Sequence, residues 1–276
     1  MLRLLHTIRR KLLANNELGR YFWYAIGEIL LVVTGILIAL QINNWNEERI
    51  EQKQIREYAL ALVGDVQRDM EMLAPVDSQI RHLVDRTDQL AAYTQGKTLA
   101  DIRNIDLFIF TRSPSYRPFA WNRAAFEQLK SSGAMRHIRN QQLVNKISQY
   151  DALTRHLDQD YTNDENNIRE AVNMVSRVVD TNYPQYGEIE EYLDRHPGDI
   201  QEAFSKTFAE FTGSDLYREI RDNDLPLLAD DLYQVRRAVN YYLEIGRYLG
   251  ARTDMELPRL KQYGLEIIEL IDAEYK

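Results

Sequence analysis

The chain contains no cysteine, and it is poor in the two residues that most often break helices, with 7 prolines and 12 glycines among 276 residues. The absence of cysteine excludes disulfide bridges, thiol chemistry and a lipid anchor attached to a thiol. Few prolines and glycines, together with a hydrophobic content of 45%, are typical of an ordered, mainly helical chain and not of a disordered one.

Motifs of familiar chemistry are also lacking. The glycines are scattered singly, so no phosphate-binding loop is formed, and no His-x-x-x-His or His-Glu-x-x-His pair marks a zinc site. His82 and His156 could still meet across packed helices. The acidic run at 158–165 resembles the start of a calcium loop, but Asn163 replaces the required glycine and Arg169 the bidentate glutamate. We interpret this run as a solvated or kinked part of a helix, and we expect no catalytic residue, cofactor or metal.

The apolar segment 21–45 is predicted to be a transmembrane helix. As a helix, residues 24–45 span roughly 31 Å, close to the roughly 30 Å of a bilayer's hydrocarbon core. Tyr21, Trp23 and Tyr24 stand at one end and Trp45 at the other, where aromatic side chains anchor helices in the headgroup region. A buried helix of a soluble protein is the alternative, but it would not explain these flanking aromatic residues.

The charge of residues 1–20 predicts the orientation of this helix. Five bases stand against the single acid Glu17, and they are Arg3, Arg9, Arg10, Lys11 and Arg20. By the positive-inside rule the N-terminus is cytoplasmic and residues 46–276 lie outside the cytoplasm. A cleaved signal peptide is disfavoured because the apolar run is long and lacks a small-x-small cleavage site. Residues 2–16 are predicted to form an amphipathic helix on the inner leaflet, with a disordered basic tail as the alternative.

One stripe of the predicted transmembrane helix is a candidate contact with another membrane helix. Glu28, Gly35 and Ala39 lie on it at spacings of seven and four. The pair Gly35-x-x-x-Ala39 would allow close helix approach, and a carboxylate in the apolar region is costly unless it is paired or protonated or reaches the interface. The sequence leaves open whether Glu28 contacts a second copy or a partner, or extends to the cytoplasmic interface.

Residues 46–276 are predicted to form an all-α domain built on long antiparallel helices that continue from the transmembrane helix. That helix is expected to end at Pro75, and a second helix, capped by Asp77 or Ser78 and ending near Gly96, would complete an antiparallel hairpin. Residues 97–120 are expected to form an ordered loop or one short strand. A helix capped by Asn122 is predicted at 122–129, with Gly133 in the left-handed conformation after it, and another at 140–179 with a break at 162–167. Further helices are predicted at 187–195, 199–211, 214–221, 225–249 with Leu228 facing inward, and 257–275 with Pro258 in its first turn.

Two blocks of sequence resemble one family. They are YAIGEILLVVTGILIALQINNWNE at 24–47, preceded by RRKLL at 9–13, and AFEQLKSSGAMRHIRNQQLVNKISQY at 125–150. Both are similar to the signature segments of an uncharacterised family of single-pass membrane proteins found mainly in Bacteroidota. The resemblance implies a bacterial inner-membrane location and assigns no catalytic residue.

The predicted function follows from this organisation. Residues 47–276 carry a net charge of −11, which disfavours binding to nucleic acid or anionic lipid by this domain. We expect a periplasmic, non-catalytic interaction or scaffolding module that binds another envelope protein or a second copy of itself. The alternative is a membrane-anchored sensory domain that binds a small ligand and signals through a partner. A polar, convergent pocket would favour the sensor, and a filled core would favour the scaffold.

Overall fold

The computed structural model describes residues 17–112, 116–194 and 210–276, and the secondary structure within these ranges is helical, with no strand. The prediction of an all-α fold is confirmed. The chain divides into two compact units, with the boundary between Glu57 and Tyr58. The predicted amphipathic helix at 2–16 lies outside the described residues.

The first helix, α1, extends over Glu17–Thr94 and so contains the predicted transmembrane segment. Among the described residues it is the one helix that is long and apolar enough to cross a membrane. In its first part the large apolar side chains are exposed, as shown by Leu31 at 75% and Leu37 at 59%. An exposed apolar run of this length is compatible with a membrane anchor.

The predicted end of this helix at Pro75 is wrong, and with it the predicted hairpin. Proline inside a helix removes one hydrogen bond and costs about 3 kcal/mol. The helix continues because apolar side chains are buried on both sides of Pro75, notably Leu73, Val76 and Ile80, and each contributes about 1.5–3 kcal/mol on burial. Asp77 lies inside the helix instead of capping one, and its carboxylate accepts a hydrogen bond from Arg81 Nε at 3.1 Å.

Residues 97–120 contain short helices where a loop or strand was predicted. A 3₁₀ turn at Leu99–Asp101 precedes helix α2, Asn104–Thr111, in which the apolar side chains from Ile105 to Ile109 are buried. A helix buried on all sides lacks an amphipathic period, which is why its sequence did not indicate a helix.

Helix α3, Ala124–Ser131, ends as predicted at Gly133, whose φ of 76° requires the left-handed conformation that glycine adopts most readily. A 3₁₀ turn at Ala134–His137 follows. The predicted cap at Asn122 is wrong, because the residue at the cap position of α3 is Arg123 and the Asn122 side-chain amide donates to Asp69 Oδ1 at 2.9 Å.

Helix α4, Gln141–Val175, begins as predicted at Asn140, whose side chain accepts a hydrogen bond from the Leu143 N–H at 3.1 Å. The predicted break at 162–167 does not occur. The helix is continuous there because the charged residue that interrupts the apolar stripe, Asp164, is buried and paired with side chains from other segments.

The remaining helices within the described ranges are α5, Tyr186–Asp194; α6, Asp215–Asp222; α7, Leu232–Ala251; and α8, Leu257–Tyr275. Helix α7 begins later than predicted because Asp231 caps it, and Leu228, predicted to face inward, is 51% exposed. The bounds of α8 and the position of Pro258 in its first turn are confirmed. Most of the predicted helix at 199–211 lies outside the described residues.

Helices α4, α7 and α8 form one side of a bundle. Helix α4 packs against both α7 and α8. Lys146, near the start of α4, lies 2.6 Å from Glu266 of α8, whereas Asp160, further along α4, lies 3.1 Å from Arg252, earlier in the chain. Helix α4 is therefore antiparallel to α7 and α8.

From Tyr58 onward, α1 completes the bundle. A Cβ atom on Gly246 of α7 would lie 2.1 Å from Thr87 Oγ1, and one on Gly264 of α8 would lie 3.0 Å from Val66 Cγ1. This order shows that α1 is also antiparallel to α7 and α8. The two glycines allow the close approach of these helices.

Candidate functional site

Helices α7 and α8 are joined by a π-helical turn, Arg252–Glu256, which we call the π segment. One extra residue per turn widens a π-helix, and such turns are frequent at functional sites. Arg81 of α1 binds one side of it, because its Nη2 donates to the Thr253 carbonyl oxygen at 2.8 Å and its Nη1 to Asp254 at 3.1 Å. The π segment is therefore held in place by a long-range contact.

A cluster of charged side chains lies on the opposite side of the π segment, towards α4. Arg252 Nη1 lies 3.1 Å from Asp160 Oδ2 and 3.1 Å from Glu256 Oε2, and Arg252 Nε lies 3.5 Å from Asp164 Oδ2. The Arg252 side chain is only 11% exposed. Three carboxylates thus surround one guanidinium group, which leaves an excess of negative charge.

His156 forms the solvent-exposed edge of this group. Its Nε2 lies 3.1 Å from Asp160 Oδ2 and 3.6 Å from Glu256 Oε1, and its side chain is 53% exposed. We call the five side chains the π-segment cluster; they are His156, Asp160, Asp164, Arg252 and Glu256. Since His156 and Asp160 are four residues apart on α4, they share one face of that helix.

The buried edge of the π-segment cluster is Asp164. Tyr116 donates a hydrogen bond from its hydroxyl to Asp164 Oδ2 at 2.8 Å. Burial raises the pKa of the Asp164 carboxyl above its ordinary value, although Tyr116 and Arg252 both oppose that change. Burial likewise raises the pKa of the Tyr116 hydroxyl. The cluster therefore extends from an enclosed carboxyl to an accessible imidazole.

An open groove lies between α1 and the π segment. It has a volume of about 370 Å³, and Met70, Leu73 and Leu257 contribute to its apolar floor. Arg81 and Lys261 add positive charge at the groove. The π segment is thus flanked by a charged cluster towards α4 and by a partly apolar groove towards α1.

A second constellation of buried carboxylates has a structural role. Asp69 accepts hydrogen bonds from the Asn122 N–H at 2.7 Å, the Asn122 side chain at 2.9 Å and the Tyr150 hydroxyl at 2.9 Å. Asp65 accepts one from the Ala125 N–H at 2.8 Å. Burial raises the pKa of Asp69. These two side chains fix the start of α3 against α1, so their acceptor capacity is used within the fold.

The predicted intramembrane contact residues, Glu28, Gly35 and Ala39, are exposed on α1. A Cβ atom on Gly35 would meet nothing within 4 Å, so the stripe is open to another helix. Whether it makes such a contact stays a prediction.

The predicted interface anchors Trp23 and Trp45 are 73% and 63% exposed. Arg20, Tyr21 and Tyr24 belong to α1. The remaining residues predicted to set the topology, Arg3, Arg9, Arg10 and Lys11, lie outside the described residues.

The sequence did not indicate the π-segment cluster. The acidic run on α4 was predicted to be solvated or kinked, but Asp160 and Asp164 are buried in an unbroken helix. The one available signal was the charge of Asp164 within the apolar stripe. Its partner Arg252 is distant in sequence, so no local motif could identify the pair. His156 joins this cluster, whereas His82 lies on α1 beside Asp85 and Arg86.

Comparison with known proteins gives one match. Residues 28–155 match the model of a family of unknown function, DUF6090. This range includes residues 125–150 and most of residues 24–47, so the predicted similarity to a family of unknown function is confirmed there. The match ends just before His156 and does not include the π-segment cluster. No curated protein and no solved structure is detectably similar to the chain.

Proposed function

We propose that the protein is a single-pass protein of the bacterial inner membrane whose periplasmic helical domain is a non-catalytic interaction module. The domain would bind another envelope protein. The observation that carries this proposal is that one continuous helix, α1, Glu17–Thr94, contains both the apolar segment and a helix of the folded domain. Its early residues expose a long apolar run, and its later residues supply one of the packed helices of the domain. Such a chain can hold a folded surface at a membrane.

The packing of the domain supports an interaction role. A small cavity lined by Leu62, Phe126 and Ile267 has a volume of about 20 Å³, which is room for about one water molecule. The larger hollows are open to solvent, including the groove beside the π segment. The domain therefore offers surface features in which a protein side chain could be accommodated.

Within the membrane, the proposed contact is the stripe of Glu28, Gly35 and Ala39. Small residues let helix backbones approach closely, and a partner could pair with the carboxylate of Glu28. Side chains of leucine size at Gly35 and Ala39 would prevent that approach without removing apolar character. Gly27 provides a matched control, because its Cβ position is equally open and lies about 80° around the helix from Gly35.

The proposal can be tested by crosslinking in intact cells, followed by purification of the tagged full-length protein in mild detergent and mass spectrometry. We expect a stoichiometric envelope protein that is lost in the double variant Gly35→Leu/Ala39→Leu and retained in Gly27→Leu. Recovery of the wild-type chain alone, as a monomer or homodimer, would contradict the proposal. A partner that is retained in both variants would indicate that the contact is made by the helical domain and not by the stripe of Glu28, Gly35 and Ala39.

A second candidate is a sensory domain that binds a small ligand and signals through a partner. The π-segment cluster favours it, because charged side chains from α4 and the π segment meet there at an accessible histidine. A ligand bound at this place would act on the contact between two long helices. Retention of a small molecule by the purified domain, without a protein partner, would favour this candidate.

A further inference from the structure

We propose that His156, Asp160 and Glu256 bind a divalent transition-metal ion of the zinc class. The proposal rests on the geometry of these side chains and is independent of the interaction role. Their ligand atoms all lie within 4.8 Å of one another. Both carboxylates and the imidazole are ordinary zinc ligands.

The spacing of the ligand atoms suits one tetrahedral ion. Ligands at roughly 2.0–2.2 Å from zinc lie roughly 3.3–3.6 Å from one another in a tetrahedral site. His156 Nε2 lies 3.1 Å from Asp160 Oδ2 and 3.6 Å from Glu256 Oε1. Small side-chain rotations would therefore place three ligands around one ion. The exposure of His156 leaves a fourth position open to water.

The arrangement of the backbone favours the same three side chains. His156 and Asp160 are separated by one helical turn on α4, the spacing that lets two side chains of one helix ligate a single ion. Glu256 comes from the facing π segment, whose wider turn lies against α4. Ligands from two packed helices would make ion binding dependent on the folded bundle.

Asp160 shows that the cluster is not saturated by hydrogen bonds. Its side chain is 9% exposed, and its Oδ2 is buried without a hydrogen-bond partner. His156 Nε2 and Arg252 Nη1 both lie 3.1 Å from this oxygen, but neither donates a hydrogen bond to it. A buried carboxylate oxygen that lacks a hydrogen bond is costly, and a metal ion would satisfy it directly.

Arg252 offsets part of the negative charge of the cluster in this structure, and it must move away from Asp160 and Glu256 when an ion binds. Asp164 offers it another partner, since Arg252 Nε already lies 3.5 Å from Asp164 Oδ2. We infer that ion binding turns the guanidinium from Asp160 and Glu256 towards Asp164. Arg252 thus competes with the metal, and its removal should strengthen binding.

The mixed nitrogen and oxygen ligand set distinguishes among cations. Imidazole suits zinc, cobalt and nickel ions, whereas magnesium and calcium ions prefer oxygen ligands alone. Zn²⁺ should therefore bind in the presence of excess Mg²⁺ or Ca²⁺. Co²⁺ can replace Zn²⁺ in tetrahedral sites, and its visible absorption reports the geometry of the site.

The test is a titration of the full-length protein in detergent, purified with a tag free of histidine and treated with a chelator. We expect one Co²⁺ per chain with a tetrahedral spectrum, displaced by Zn²⁺ but not by Mg²⁺. His156→Ala should weaken binding by about 100-fold or more. His137→Ala is the matched control, because His137 is an exposed histidine on the 3₁₀ turn after α3, and it should bind as the wild type does.

Arg252→Gln provides a second variant with the opposite expected effect. Loss of the competing positive charge should tighten binding by about tenfold or more. If this variant does not fold, the pair of histidine variants still decides the matter, since both histidines are exposed. Absence of a tetrahedral spectrum in the wild type would overturn the proposal. Weak binding at several places, unchanged in His156→Ala, would show an adventitious ion only and would also overturn it.

Discussion

Between residues 29 and 45 of α1 the large apolar side chains are exposed, whereas in the later part of the same helix Asp65, Asp69 and Arg86 are buried. Both regions reverse the usual distribution of side chains in a soluble protein. Long exposed apolar runs need a cover that is not water, which a bilayer supplies. Buried charged groups need partners within the fold. The two regions of one helix are therefore adapted to different surroundings.

Arg86 shows how the second region meets this need. Its Nη2 donates to the carbonyl oxygens of Ile109 at 3.0 Å and Phe110 at 2.9 Å, near the end of α2. Both carbonyls lie in the last turn of a helix, where backbone donors are few, and Ile109 also accepts a hydrogen bond from the Arg112 N–H at 3.4 Å. Burial lowers the pKa of Arg86 to about 10, which leaves it charged at neutral pH. The buried charge of Arg86 therefore depends on α2 for its hydrogen-bond acceptors.

Removal of a buried acceptor from α1 should give the largest loss of stability. Asp69→Ala would leave the Asn122 N–H, the Asn122 amide and the Tyr150 hydroxyl without their acceptor. We expect a loss of about 3 kcal/mol or more, measured by thermal unfolding of the full-length protein in detergent. Glu71→Ala, at an exposed position of the same helix, should change stability by less than about 0.5 kcal/mol. Equal effects of the two variants would refute the structural role of Asp69.

Close packing of α1 against α7 should give an intermediate effect. The Cβ atom in Gly246→Ala would lie 2.1 Å from Thr87 Oγ1, so we expect a loss of about 1–3 kcal/mol in the same measurement. Gly250→Ala on the same helix meets nothing within 4 Å and should stabilise by about 0.5–1 kcal/mol. Thr87→Ala, added to Gly246→Ala, should recover part of the loss. If the two glycine variants shift stability in the same direction, the proposed contact is absent.

Protonation of a partly buried histidine on α1 should give the smallest effect. Burial lowers the pKa of His82 below its ordinary value of 6.5, with Arg86 adding to this effect and Asp85 opposing it. As the pH decreases, His82 is therefore protonated at a higher pH in the unfolded chain than in the folded chain. The free energy of unfolding then falls as the pH decreases below about 6.5. We expect His82→Gln to lose less stability than the wild type between neutral and mildly acidic pH. Unfolding curves at several pH values would show this, and parallel pH profiles would contradict it.

The parts of the fold predicted from the sequence are those fixed by local chemistry. Helix α4 begins at Asn140, Gly133 adopts the left-handed conformation after α3, and Pro258 lies in the first turn of α8. Each of these roles depends on the residue and its near neighbours in sequence. Local signals of this kind identified these helix ends, although the equally local cap of α7 at Asp231 was missed.

The features that sequence reasoning missed depend on contacts between distant residues. Pro75 does not end α1 because apolar side chains on both sides of it are buried by the rest of the bundle. Asp164 does not break α4 because Arg252 and Tyr116 neutralise and hydrogen-bond its carboxyl. The π-segment cluster was missed for the same reason, since its two halves are brought together only by packing of α4 against α7 and α8.

The proposed arrangement, with residues 21–45 in a membrane and the later helices outside the cytoplasm, is tested most directly by cysteine labelling, because the chain has no cysteine of its own. Single cysteines would be introduced as Thr7→Cys, Leu37→Cys and Ser148→Cys, the last at an exposed position on α4. Each variant would be treated with a membrane-impermeant maleimide on intact spheroplasts and again after lysis. We expect Ser148→Cys to react before lysis, Thr7→Cys only after it, and Leu37→Cys only in detergent. Labelling of Leu37→Cys in intact spheroplasts, or protection of Ser148→Cys until lysis, would contradict the membrane-anchored arrangement.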